Sequence, residues 1–194
     1  MQGEPEVAVL RLGHRPGRDE RMTTHVGLTA RALGGDRAVL AGDASKSKGT
    51  VEDITDRFGG PFAVELTDSP RSVIREWDGR VVHLTMYGER IQDVESEIRA
   101  AHRGTEPEGH SGSEATDGEP ILVVVGSQKV SFDVYEAADW NVGVTNQPHS
   151  EVAGLAVFLD RLFEGRELDR EWADADQTVV PKATGKKVVP ADEE

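Results

Sequence analysis

Two polar segments interrupt apolar sequence in the second half of the chain, and they carry the residue types best suited to chemistry. Gly126-Ser127-Gln128-Lys129-Val130 follows the run ILVVV, and Thr145-Asn146-Gln147-Pro148-His149-Ser150 separates WNVGV from EVAGLAVFLDRLF. Glycine lets the backbone approach a ligand closely, while Ser, Gln, Asn and His supply donors and acceptors. Taken alone, the first segment reads equally well as an ordinary strand-ending turn. Helix capping accounts for Ser150 as N-cap and for Glu151 at the positive end of a helix. It does not account for Asn146, Gln147 and His149. A third strand end, His83-Leu84-Thr85-Met86-Tyr87-Gly88, can face the same crevice. In open α/β sheets, loops at the carboxyl ends of neighbouring strands bind small ligands, so a small-molecule site is expected here.

The elements that position these loops follow from periodicity. Strands are expected at 7–12, 38–42, 62–66, 81–86, 121–126 and 140–144. Helical patterns fall at 24–34, about 50–58, 69–77, about 91–102, 132–139 and 151–164. This alternation indicates an α/β fold with a mainly parallel sheet and helices on both faces. Helix 151–164 is apolar on every side, which predicts burial all round and therefore a second subunit against it. Residues 103–119 (RGTEPEGHSGSEATDGE) have the composition of a flexible acidic insertion. Residues 178–194 read as a basic and acidic extension with two short β-like runs around a basic turn. The expected organisation is a single domain over 1–194.

Several function classes lose support. No stretch matches G-x-G-x-x-G or a P-loop, so classical dinucleotide and nucleoside triphosphate binding are unsupported. The chain has no cysteine, and its six histidines lack metal-ligand spacing, so no metal is expected. It has no apolar run of membrane-spanning length and no signal-peptide layout, which points to the cytoplasm.

The net charge is −14, from 36 acidic and 22 basic residues, and only 6 of the basic ones are lysine. High acidity with scarce lysine suggests a high-salt cytoplasm, where screening acts over a few ångströms. There the global charge stops excluding RNA, and local contacts decide. Basic residues do cluster, with Arg11, Arg15, Arg18 and Arg21 near the start and Lys182, Lys186 and Lys187 near the end.

GSQKV at a strand end, the strand AADWNVGV, and a polar loop entering an apolar helix together resemble motifs 2 and 3 of the SPOUT methyltransferases. RLGHRPGRDERMTTHVGLTARALG, HLTMYG and NQPHSEVAGLAVFLDRL resemble one branch, the archaeal tRNA (cytidine(56)-2′-O)-methyltransferases, in a haloarchaeal form. The resemblance covers nearly the whole chain outside 103–119. It implies a C-terminal trefoil knot, S-adenosyl-L-methionine as cofactor, an obligate homodimer, and tRNA as substrate, methylated on the ribose of a T-loop cytidine. The cofactor contacts it implies are Leu84; Gly126, Ser127, Gln128, Lys129 and Val130; and Val144, Thr145, Asn146, Gln147, Pro148, His149, Ser150 and Glu151.

Catalytic candidates in the opening segment are Arg15 and Arg21, which can hold tRNA phosphate bidentately, and His25 as a base for the ribose hydroxyl. Two departures from the superfamily pattern keep this choice open. Gln128 stands where many 2′-O enzymes carry an acid, and neither Arg21 nor Arg31 has the usual spacing to Gly34. Two alternatives stand beside the ribose reading. One is methylation of another RNA site or a base nitrogen; the other is a non-catalytic nucleotide- or RNA-binding module.

Overall fold

Strands rich in Val, Leu, Ile and Ala, with no polar alternation, need cover on both faces. The computed structural model describes residues 4–105, 117–126 and 129–193 and provides that cover. The chain runs β1 (Val7–Leu12), α1 (Glu20–Ala32), β2 (Arg37–Ala41), α2 (Ser45–Phe58), β3 (Ala63–Thr67) and α3 (Pro70–Arg75). It continues through β4 (Arg80–Arg90), α4 (Ile91–Arg103), β5 (Ile121–Gly126), α5 (Phe132–Ala137), β6 (Trp140–Gly143) and α6 (Glu151–Phe163). An antiparallel hairpin of β7 (Gln177–Val180) and β8 (Lys187–Pro190) follows.

The main sheet has six strands in the order β3-β2-β1-β5-β4-β6, and every pairing is parallel. Alternate side chains serve the two faces. Val9, Leu40, Val82 and Val123 pack with α1, α2, α4 and α6, whereas Leu10, Val39, Val81 and Leu122 pack with α3 and α5. After β1 the chain turns toward β2, and after β5 it turns the other way to β6. The carboxyl ends of the neighbours β1 and β5 therefore flank a topological switch point, where a crevice must open.

Three sequence expectations are corrected. Helix α1 starts at Glu20 instead of 24, and α2 at Ser45 instead of about 50. Both first turns are dominated by polar residues, so hydrophobic periodicity cannot register them. Strand β4 extends to Arg90, well past the expected end at 86. Helix α6 is covered within the chain on one face only. Leu155, Phe158, Leu159, Leu162 and Phe163 are buried beside α1 and α4, whereas Ala153 and Val157 are exposed. Residues 106–116 of the expected insertion lie outside the described residues.

Because Leu155 is fully buried at the contact between α6 and the core, Leu155→Ala should lower the unfolding free energy by about 2–5 kcal/mol. Denaturant unfolding in molar salt measures this. A cost below about 1 kcal/mol would show that the α6 face is loosely packed.

Candidate functional site

Strand β4 pairs normally with β6 as far as Leu84, which lies opposite Val142. The register then jumps, and Glu89 faces the same Val142. Residues 85–88 are thus an excursion, and its backbone closes tightly against β6. A Cβ on Gly88 would stand 2.3 Å from the Asn141 carbonyl oxygen, so only glycine permits that approach. Asn146 fastens the excursion by donating its amide to the carbonyls of Met86 (2.8 Å) and Gly88 (3.0 Å).

The excursion forms one wall of a cavity of about 600 Å³ at the carboxyl ends of β4 and β5, one strand over from the switch point, a size typical of small-ligand sites. From β4 come His83, Leu84, Thr85, Met86 and Tyr87. Val125, Gly126, Lys129 and Val130 supply the β5 side, with Tyr135 from α5. Pro148, His149, Glu151 and Gly154 close the side toward α6. The His149 ring lies over Gly154, where a Cβ would come within 2.8 Å of Nε2.

Glu151, the first residue of α6, reaches away from its own helix to a buried arginine. Arg11 is only 2% exposed and donates from Nη2 to Glu151 Oε1 at 2.8 Å. Its Nη1 donates to the Gly13 carbonyl (2.7 Å) and to Thr23 Oγ1 (2.8 Å). The Thr23 hydroxyl donates its single proton to the Asp19 carbonyl, so it accepts from both Arg11 and His14 Nδ1. Glu151 Oε2 is buried and has no hydrogen-bond partner among the described residues. Burial raises the Glu151 carboxyl above the usual range, although Arg11 pulls it back down.

A second buried acceptor stands at the other end of the cavity. His83 is fully buried and sits opposite Asn141, with Nδ1 2.8 Å from Asn141 Oδ1. Burial holds its ring below the ordinary histidine value, so the imidazole is neutral at pH 7.

A larger cleft, about 850 Å³, opens beside Arg31, Phe58 and Trp172. Its residues are engaged in docking the segment that leads to the β7–β8 hairpin. The Arg31 guanidinium lies 4.4 Å from the Trp172 ring centroid and donates to the Gly59 carbonyl at 2.6 Å.

Of the residues singled out in the sequence, Leu84, Gly126, Lys129, Val130, Pro148, His149 and Glu151 line the cavity. Val144, Thr145, Asn146, Gln147 and Ser150 belong to the same loop without contributing to the wall described. The Asn146 side chain clasps the excursion, and the Gln147 carbonyl lies 2.8 Å from His149 Nδ1. Ser150 is the N-cap of α6 but makes no side-chain capping bond. Ser127 and Gln128 lie outside the described residues.

Arg15, Arg21 and His25 lie in the opening segment and do not line the cavity. Arg15 makes a bidentate pair with Asp19, at 2.9 and 3.0 Å, and holds that carboxyl down to about 2. Arg21 and His25 are exposed on α1. The early basic cluster therefore divides: Arg18 and Arg21 face outward, whereas Arg11 is an interior residue. His83 belongs to the third strand end expected to face the crevice, whereas sequence reasoning missed Arg11 and Tyr135 as parts of the site. A charged residue inside the run VAVLRL was the available signal for Arg11, because strands buried on both faces seldom hold one.

Residues 58–189 match the family model described as tRNA ribose 2′-O-methyltransferase, aTrm56. The chain is 71% identical over 194 residues, all of both chains, to the tRNA (cytidine(56)-2′-O)-methyltransferase of Natronomonas pharaonis. It is 49% identical to the enzyme of that name from Thermococcus kodakarensis, covering 94% of this chain and 96% of that one. Among solved structures, the A. aeolicus TrmH/SpoU tRNA modifying enzyme superposes with a TM-score of 0.51 at 15% identity. That match covers 86% of this chain and 77% of the other.

Arg11→Met leaves Glu151 as an unpaired buried carboxylate and should cost about 3–5 kcal/mol of stability. Arg15→Ala, at a solvent-screened pair, should cost far less. Denaturant unfolding of both variants in molar salt makes the comparison; equal losses would mean that Arg11 is not the anchor of the site.

Proposed function

The chain belongs to the tRNA ribose 2′-O-methyltransferase family, and from that premise we propose that it methylates the ribose 2′-hydroxyl of cytidine 56 in tRNA, using S-adenosyl-L-methionine. The observation that carries the reading is the cavity at the carboxyl ends of β4 and β5, with Glu151, whose Oε2 has no hydrogen-bond partner among the described residues, in its wall.

The residues present fit this cofactor. Leu84, Val125 and Val130, with the Tyr135 ring, offer an apolar wall for a flat purine. Gly126 lets the backbone come close, and the Glu151 carboxylate suits a cationic, donor-bearing amino-acid end. The cofactor supplies an electrophilic methyl group; orientation falls to the protein. Arg11 keeps Glu151 in place, and the clasp made by Asn146 keeps the β4 excursion closed over the cavity.

Arg15 and Arg21 hold tRNA phosphate in this reading, and His25 takes the ribose proton. Arg18 and Arg21 support it, being exposed guanidinium groups with no ion pair among the described residues. The proposal extends to a trefoil knot in the segment from β4 to α6, to one functional domain over 1–194, and to a cytoplasmic enzyme. The absence, among the described residues, of any helix long and apolar enough to cross a membrane fits that location. It extends also to a homodimer, supported by the exposed Ala153 and Val157 on α6.

Incubating the protein with unmodified tRNA and S-adenosyl-L-methionine in molar salt should place one methyl group on the ribose of cytidine 56, read by nuclease digestion and mass spectrometry. A mark on a base, or on another ribose, would refute the assignment. Gly126→Val should weaken S-adenosylhomocysteine binding at least about tenfold, because a branched side chain enters the cavity. Arg15→Ala should leave that binding intact and weaken tRNA binding. Sedimentation should give a dimer for the parent protein and a monomer for Val157→Asp; a monomeric parent would rule out the dimer.

A further inference from the structure

His83 lines the cavity, and its Nε2 is the second buried polar atom there with no hydrogen-bond partner among the described residues. Its role follows from accounting for the bonds around it. Asn141 donates its side-chain Nδ2 to the Tyr135 carbonyl at 2.9 Å, which fixes the orientation of that amide. The Asn141 atom facing the imidazole is therefore Oδ1, which can only accept. Nδ1 of His83 must carry the proton, and in the neutral ring Nε2 is left with a lone pair. A buried acceptor with nothing to accept from is costly, and the cavity is where a donor can come from.

The surroundings select the kind of donor. The Tyr135 ring meets the His83 ring edge-on, with centroids 4.6 Å apart. Val130, packed on the same side of the sheet as Val81 and Val134, completes an apolar compartment at this end. Arg11, the partner of Glu151, stands on β1, and strand β5 separates β1 from β4, which sets Arg11 and His83 about 10 Å apart at the usual strand spacing. The compartment beside His83 suits a purine, and the only donor on an adenine ring joined to a ribose is its exocyclic 6-amino group.

We propose that His83 Nε2 accepts a hydrogen bond from the adenine 6-amino group and makes the site selective for adenosyl over other purine nucleosyl cofactors. The inference rests on the cofactor reading above. It assigns a specificity role to a residue that would otherwise only tie β4 to β6 and α5.

Calorimetry in molar salt with S-adenosylhomocysteine and S-inosylhomocysteine tests it, because the inosyl ligand replaces the 6-amino group by an oxygen. The parent protein should prefer the adenosyl ligand at least about tenfold. His83→Asn keeps a donor near the Nδ1 position, and so the tie to Asn141, but has no atom at Nε2. It should lose most of the preference, binding the adenosyl ligand about tenfold more weakly and the inosyl ligand nearly unchanged. Equal weakening of both ligands, with the preference intact, would mean a purely structural histidine and overturn the proposal. So would a parent protein that does not distinguish the two ligands. If His83→Asn fails to fold, the imidazole ¹⁵N signals of the parent protein decide. Nε2 should be unprotonated and should shift when S-adenosylhomocysteine is added, whereas a protonated or unresponsive Nε2 would refute the assignment. A parent protein that binds neither ligand would refute the cofactor reading itself.

Discussion

One buried guanidinium organises the site. Arg11 stands at the end of β1 with its donors spread over three parts of the chain: the turn at Gly13, Thr23 on α1, and Glu151 at the head of α6. A lysine could not serve in its place, because the bonds depend on a planar fork with several N–H groups. Net stability is not the main return, since desolvating two charges consumes most of what their attraction supplies. Direction is the return. The pair determines where α6 begins relative to the end of β1, and α6 carries Gly154, over which the His149 ring of the preceding loop closes the cavity. Arg11 occupies Oε1, and Oε2 has no hydrogen-bond partner among the described residues.

The opposite wall depends on close backbone approach. Between Leu84 and Glu89 the β4 chain leaves the sheet and returns to the same partner, Val142. That path needs glycine at 88, where the β6 backbone leaves no room for a side chain, and it needs Asn146 to secure two carbonyls. An excursion pinned at both ends can present Thr85, Met86 and Tyr87 to a ligand at little entropic cost on binding. The cavity is thus largely preformed. Its rigidity comes from a few directional contacts, since the excursion itself adds little to the apolar core.

The sheet was legible in the sequence because strands buried on both faces read as apolar runs, and all six expected strands formed. Helix starts at Glu20 and Ser45 were not legible, since polar first turns carry no periodic signal. The candidate loops were legible as polar interruptions, and their convergence at one cavity is what parallel strand ends require. Arg11 was not. Read in one dimension, it is one of four arginines within 11 residues, and only β1 geometry turns it inward while Arg18 and Arg21 stay outside. The clasp by Asn146 was hidden for a similar reason, since its partners at Met86 and Gly88 lie about 60 residues earlier in the chain and are backbone atoms with no sequence signature. The family resemblance supplied the ligand that periodicity alone could not name.

The distribution of hydrogen-bonding capacity explains how so acidic a protein can hold a cationic cofactor and a polyanionic RNA. Glu151 Oε2 and His83 Nε2, the two buried atoms of cavity-lining residues without a hydrogen-bond partner among the described residues, are both acceptors and so call for donors on a ligand. The opening segment has the complementary character, with the exposed donors of Arg18 and Arg21 beside the Arg15–Asp19 pair. At low ionic strength the charge of −14 would override that local pattern and repel RNA. Near 1 M salt the screening length is about 3 Å, and only groups in near contact are felt. The scarcity of lysine and the retention of a few outward arginines then follow one logic. The surface can be acidic throughout, provided that the two ligands meet opposite capacities at the two places they touch.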